Sequence, residues 1–217
     1  SNVRAVVVLT KADSVSPATL KRHLTLIHEV LGDAVTTIVT SSKLEVSHES
    51  SCDEMKQIVQ KFHARWGMDA IREEIPQESV AIVLGESGAG KSTLLNALLG
   101  HEALETGEVR ASDKAGRHTT VARRMVALPK AGIIVDEPGL RSLPIVGHEQ
   151  GLTKVFPRIS RAAAACKFRD CTHVHEPGCG VREALRAGEC SSAQVDAYLS
   201  LAHEMQVSSR LLDPDVV

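Results

Sequence analysis

Aromatic residues are nearly absent from this chain, at 2% of 217 residues: three Phe, one Trp and one Tyr. A core of ordinary size must therefore be built from Val, Ile, Leu and Ala. Long apolar runs are missing too. None approaches the roughly 20 residues that a membrane-spanning helix requires, and no secretory signal opens the chain, so a cytoplasmic protein with no membrane contact is expected. A one-sided charge is also lacking, since the formal net charge is -2 and the pI is near 6.5. That excludes a wholly basic nucleic-acid coat and leaves room for a local basic patch. The five cysteines, several of them beside histidines, read as metal ligands in a reducing compartment rather than as a disulfide framework. The length suits one domain of ordinary size plus a small appendage, and a monomer is the expected state. Ser1-Asn2-Val3 leads at once into a buried-type strand, which suggests a fragment of a longer protein.

The chain alternates strand and helix patterns. Val6 to Leu9 is a short apolar run of the kind covered on both faces. Pro17 to Leu31 carries Leu20, Leu24, Ile27 and Leu31 at helical spacing, with Ser16 placed to cap it. Val35 to Val39 reads as a second strand, Asp53 to Trp66 as a helix, Val80 to Leu84 as a third strand and Ser92 to Leu99 as the helix that follows it. Arg124 to Leu128 and Ile133 to Val135 read as neighbouring strands joined by Pro129-Lys130-Ala131-Gly132. After Leu143 the pattern changes to short helices around a Cys/His cluster. The expected fold is α/β: a P-loop domain over residues 1–157, with a mostly parallel sheet and helices on both faces. A small helical zinc-binding domain is expected over 158–217.

The strongest motif is Gly85-Glu86-Ser87-Gly88-Ala89-Gly90-Lys91-Ser92-Thr93. Glycines let backbone N–H groups converge on phosphate oxygens, and the next helix turns its positive end to the anion. Lys91 is expected to reach the β and γ phosphates, and the Ser92 hydroxyl to ligate magnesium. About seventy residues earlier stands Thr10-Lys11-Ala12-Asp13. The Asp13 carboxylate can accept two hydrogen bonds from guanine N1 and N2, which adenine cannot supply, and Lys11 would lie along the base. The second strand ends at Thr40-Ser41-Ser42-Lys43, where Ser41-Ser42-Lys43 reads as a further base-site loop. In an ordinary GTPase the phosphate loop comes first and the base reader last. Here the order is rotated, which an open parallel sheet tolerates because its ligand loops gather at the carboxyl ends of the strands.

The remaining nucleotide groups follow the phosphate loop. In Asp136-Glu137-Pro138-Gly139, Asp136 would hold magnesium through a water and the Gly139 N–H would meet the γ-phosphate. In Gly116-Arg117-His118-Thr119-Thr120, either Thr119 or Thr120 could complete the magnesium shell. Leu140 stands where many GTPases carry the glutamine that orients the attacking water, so hydrolysis is expected to be slow alone. His118 is the candidate that positions the water in its place. Cys166, Cys171, His173 and Cys179 supply three sulfurs and an imidazole within fourteen residues, enough to close a tetrahedral structural zinc site. His175 is a lesser alternative ligand, and Pro177-Gly178 provides the turn that returns Cys179. Cys52 and Cys190 read as plain small side chains.

Taken together these stretches resemble the circularly permuted, ribosome small-subunit-dependent GTPases (RsgA), from Val6 to about Tyr198. The resemblance rests on the motif order, on Gly116 to Thr120, and on the segments Cys166 to His173 and Glu176 to Cys179. It implies hydrolysis of GTP to GDP with magnesium, stimulated by the small ribosomal subunit late in that subunit's maturation. A structural zinc on Cys166, Cys171, His173 and Cys179 is implied as well. The family normally opens with an OB-type β-barrel, which is missing here, so contact with the subunit and its rRNA is expected to be weaker for this chain alone. Thr10 replaces the family's usual Asn, and Glu137 stands where the family usually has Thr.

Arg158, Arg161, Lys167 and Arg169, with Arg117, Arg123 and Arg124 in the switch region, give RNA phosphates a foothold. Two competing expectations stand beside the GTPase. A P-loop ATPase or kinase would lack guanine selectivity at Asp13. A zinc-containing RNA-binding module would carry a vestigial or switch-only nucleotide site and show no turnover.

Overall fold

The computed structural model describes residues 3–32, 35–41, 49–86, 88–101, 124–136 and 149–212. Its chain divides into two compact units, Ser1–Leu24 with Ala34–Ser142, and Thr25–Asp33 with Leu143–Val217. The division passes through the first helix, α1 (Pro17–Leu31). That helix starts as the sequence requires, because the Ser16 hydroxyl accepts the Thr19 amide at 3.2 Å and caps the first turn.

In the first unit α1 is preceded by β1 (Val6–Leu9) and the short 3-10 turn Ala12–Ser14. It is followed by β2 (Thr36–Val39), α2 (Glu49–Lys61), β3 (Arg65–Trp66) and α3 (Met68–Glu73). Next come β4 (Val80–Val83), α4 (Lys91–Leu99), β5 (Arg124–Ala127) and β6 (Ile133–Asp136). The strands pair as two three-stranded sheets, β1-β2-β3 and β4-β6-β5. Pairing is parallel throughout the first sheet and between β4 and β6. Among the described residues only β5 runs antiparallel, in register with β6 from Arg124 opposite Asp136 to Ala127 opposite Ile133. The short turn between them leaves no room for a crossover, so this pair had to be a hairpin.

The expectation of a helix running from Asp53 to Trp66 is corrected. The helix stops at Lys61, His63 adopts a left-handed φ of 52°, and Arg65 and Trp66 pair with Ile38 and Val39 as β3. Two cores hold this unit. Val6, Val8, Ile38 and Ile134 pack with Ile71, Leu95 and Leu98 of α3 and α4. Leu9 and Val39, which point to the opposite face, pack with Leu20, Leu24, Met55 and Val59 of α1 and α2. Val80, Ile82 and Leu84 alternate outward and are more than half exposed, while Ala81 and Val83 pack inward. Gly132 is forced by crowding: a Cβ there would lie 2.3 Å from the Ser79 carbonyl oxygen.

The second unit holds α5 (Glu149–Val155), α6 (Pro157–Ala164), α7 (Gly180–Arg186) and α8 (Ser192–Leu212). Pro157 opens α6 at a position where its missing N–H costs nothing. Phe156, Ile159, Val181 and Val195 form the centre of its core, joined by the buried Cys179 and Cys190. Full burial of aliphatic side chains such as Ile159 and Val181 contributes roughly 1.5–3 kcal/mol each. At Gly180 a Cβ would stand 2.2 Å from the Ala162 carbonyl oxygen, so α6 and α7 meet backbone to backbone. Among the described residues no helix is long and apolar enough to cross a membrane.

Candidate nucleotide site and metal centre

β1 and β2 run parallel, so the loops at their carboxyl ends emerge side by side. The Thr40 amide donates to the Leu9 carbonyl at 2.8 Å, and the Ala12 amide donates to the Thr40 carbonyl at 3.2 Å. These bonds carry the Thr10–Asp13 loop across the end of β2. Lys11 takes a left-handed φ of 56°, which turns the chain sharply into the 3-10 turn that holds Asp13. The buried Ser41 hydroxyl donates to Asp13 Oδ1, and Ser14 donates to Oδ2 at 3.2 Å. The carboxylate is therefore held in one orientation. Thr40 is 2% exposed, and its hydroxyl has no hydrogen-bond partner among the described residues.

The glycine-rich loop follows β4 and leads into α4. Gly88 and Gly90 have φ of 78° and 88°, a region L side chains rarely enter. The Leu94 amide closes the first turn of α4 on the Gly90 carbonyl at 2.8 Å. Free amides at this helix start, next to left-handed glycines, make a cradle that fits phosphate oxygens. Lys91 curls back over the loop, with Nζ 2.7 Å from the Gly85 carbonyl and 2.9 Å from that of Glu86. Ser92 is half-buried and Thr93 exposed on the first turn of α4. β6 pairs with β4 so that Asp136 sits opposite Val83, beside the strand end that feeds the loop.

These two loops touch. The Thr10 hydroxyl donates to the Ala89 carbonyl at 2.6 Å across 79 positions of sequence. The Lys11 ammonium donates to the Gly88 carbonyl at 2.6 Å across 77. A Cβ on Gly90 would stand 3.5 Å from Lys11 Cε and 3.6 Å from Thr10 Oγ1. The early Thr-Lys-x-Asp loop and the later glycine-rich loop thus form one continuous surface. Ser42, Lys43, Ser87, His118, Thr119, Thr120, Glu137, Gly139 and Leu140 lie outside the described residues, as does the Asp136 side chain.

The Cys/His cluster assembles in the second unit. The ligand atoms of Cys166, Cys171, His173 and Cys179 all lie within 4.8 Å of one another. His173 Nδ1 is 3.5 Å from the sulfurs of both Cys166 and Cys179. Sulfur–sulfur edges of a zinc tetrahedron are about 3.8 Å, so a small inward movement of each side chain would close the shell. The donor set of soft sulfur and imidazole suits zinc. Burial and the neighbouring Cys179 and Cys166 thiols push the Cys171 thiol up to about 11. A bound cation would reverse that preference at Cys171. Burial lowers His173, against the opposing charge of Glu176, and so favours the neutral imidazole that ligates metal.

Gly178, with φ of 70°, makes the predicted turn. Its carbonyl accepts the Lys167 amide at 3.0 Å, which brings Cys179 back beside Cys166. His175 is exposed and lies outside the cluster. Cys190 is buried in the unit's core and Cys52 on α2.

Glu176, named from sequence only as the start of the Glu176–Cys179 segment, clamps the loop between the ligands. It accepts the Thr172 amide at 3.0 Å, the Thr172 hydroxyl, and the His175 amide at 3.2 Å. Those bonds, led by the Thr172 hydroxyl, hold its carboxyl well below the usual range. Thr40 gives no such signal in sequence, since it lies in the stretch that ends the second strand.

The fold and loops define a P-loop nucleotide-binding protein whose motifs run in permuted order. The RsgA GTPase family profile matches residues 1–146. The chain belongs to the RsgA GTPase family. It is 36% identical over 226 residues to the small ribosomal subunit biogenesis GTPase RsgA of Leptospira interrogans, covering 99% of this chain and 62% of that protein. It is 38% identical over 206 residues to the Streptomyces avermitilis protein of the same name, covering 95% of this chain and 50% of that one. The chain thus spans between half and two thirds of the length of these relatives. Among solved structures it is similar to YloQ, described as a circularly permuted GTPase, at 25% identity and a TM-score of 0.45, covering 94% of this chain and 68% of that one.

Proposed function

We propose that this chain binds GTP with magnesium, hydrolyses it to GDP, and is stimulated by the small ribosomal subunit during late maturation of that subunit. The observation that carries the reading is the pair of bonds from Thr10 to Ala89 and from Lys11 to Gly88, which join a guanine-reading loop to a phosphate loop. Asp13, held by Ser41, reads the base edge, with Thr40 beside it; Ser42 and Lys43 continue that loop. Gly85 to Gly90 enclose the phosphates with backbone amides, and Lys91 exchanges its carbonyl partners for β and γ phosphate oxygens. Magnesium would be held by Ser92, Asp136 and either Thr119 or Thr120, and it would neutralise charge between the β and γ phosphates. His118 positions the attacking water where Leu140 cannot, and the Gly139 amide meets the γ-phosphate.

Cys166, Cys171, His173 and Cys179 hold one structural zinc that fixes the helical C-terminal region, residues 158–217, against unfolding. The arginines and lysines near it face the rRNA. The protein acts as a monomer in the cytoplasm.

GTP turnover measured with and without purified small subunits tests the proposal, with the full-length protein as control. Turnover raised by the subunit supports it. Equal background rates in both conditions, for both proteins, would leave a zinc-bearing RNA-binding module as the better reading.

A further inference from the structure

We infer that Phe168, with Lys167 and Arg169, forms a stacking platform for an unpaired RNA base on the loop that carries the Cys/His cluster. Aromatic side chains are scarce in this chain, and their placement is telling. Phe156 is buried, Phe62, Trp66 and Tyr198 are half-buried, and Phe168 alone is exposed, at 42%. At that exposure the ring keeps part of its surface open to a stacking partner.

Phe168 is flanked by exposed Lys167 and Arg169, and the Lys167 ammonium stands 5.5 Å from the ring centroid, within cation–π range. The loop is also stiff. Lys167 is bonded to the Gly178 carbonyl and its Cβ lies 3.1 Å from where a Gly178 side chain would start. Cys166, one residue before, is a member of the Cys/His cluster. A rigid exposed ring between two cations matches the chemistry of an unstacked nucleotide: a π-face for the base and positive charge for its phosphates. Asp170, next in the chain, is one carboxylate against these two cations, and Glu176 is engaged by Thr172 and His175. A paired helix would hide its base faces, so the platform selects single-stranded RNA.

This inference rests on the reading of the chain as acting on the small ribosomal subunit. Its test uses the whole zinc-loaded chain, a fluorescein-labelled 12-nucleotide single-stranded RNA of mixed sequence, the matched duplex, and purified small subunits. Phe168→Ala is expected to weaken single-strand binding by roughly 5- to 100-fold, the range that one lost base stack gives. Phe168→Trp restores it, and Lys167→Ala weakens it with a shallower salt dependence. Zinc content and GDP affinity stay at parental values in all three variants, which separates the platform from folding. The inference fails if the parent does not bind the single strand or prefers the duplex, or if Phe168→Ala binds as tightly as the parent. It also fails if Phe168→Ala weakens binding to the subunit and spares the oligonucleotide, which would assign the ring to a ribosomal protein. Subunit-stimulated GTP turnover in the parent is read separately, so loss of the platform and loss of the GTPase reading give different results.

Discussion

Replacing Thr10 by Val removes one hydroxyl and keeps the β-branched shape, so it isolates the bond that ties the base loop to the phosphate loop. That bond is 2.6 Å long and half-buried, to a carbonyl that water can reach in its absence. A neutral hydrogen bond of this kind contributes about 1 kcal/mol net, which corresponds to roughly a five-fold weaker Kd. The cost should fall on ligands that span both loops. Titration calorimetry with GDP is expected to show the five-fold loss, while guanosine, which engages only the Asp13 side, binds within about two-fold of the parent. Thr10→Asn keeps a donor in place and retains GDP affinity. Lys11→Ala gives a loss of similar size, because its bond to Gly88 is exposed and screened. Made together, the two substitutions should deviate from additivity, since both bonds fix the same loop. Unchanged GDP affinity in Thr10→Val, or an equal loss for guanosine, would refute the idea that this bond couples the two halves of the site.

Asp13→Asn is expected to trade guanine for xanthine selectivity, read by competition of XDP and GDP for the same site. Gly132→Ala forces a Cβ to within 2.3 Å of the Ser79 carbonyl, and the backbone shift should lower stability by about 1–3 kcal/mol in urea unfolding. Chelation of zinc, or Cys179→Ser, should melt the C-terminal helices by circular dichroism while GDP binding persists. Glu176 has a folded-state carboxyl held below its unfolded value. Its stabilisation is thus fully present above the ordinary carboxylate range and is lost as pH falls through that range and below. Glu176→Gln should lower stability at pH 7 and flatten the acid limb of the stability curve; an unchanged limb would sink the clamp.

The parts of the fold legible in the sequence were those governed by local rules. α1 announced itself through Ser16 and the spacing of Leu20 and Leu24, both of which are 2% exposed. The hairpin of β5 and β6 followed from a turn too short for a crossover. The end of α2 was hidden because its stop signal is His63 in a left-handed conformation, with the Ala64 amide bonded back to the Val59 carbonyl at 3.1 Å. Glycine would have advertised that turn, and histidine does not. Arg65 and Trp66 then became a strand only because β2 was there to pair with them. At the site, Asp13, Ser41, Gly88, Gly90 and the four Cys/His positions could be read because each belongs to a compact motif. Thr40 and Glu176 could not, since one is defined by an unsatisfied buried hydroxyl and the other by three donors that converge only after folding.

The tie between Thr10 and Ala89 also has a consequence for synthesis. In the usual motif order the phosphate cradle leaves the ribosome first and can hold nucleotide while the rest follows. Here β1, β2 and the base loop emerge first, and the residues that complete the cradle are made 77 to 79 positions later. Closing a segment of that length costs more chain entropy than any local turn, so the first sheet has to stand on its own core until α4 arrives. A nucleotide that spans both loops would therefore find its site only after α4 is made, and β1 and β2 would pair without it.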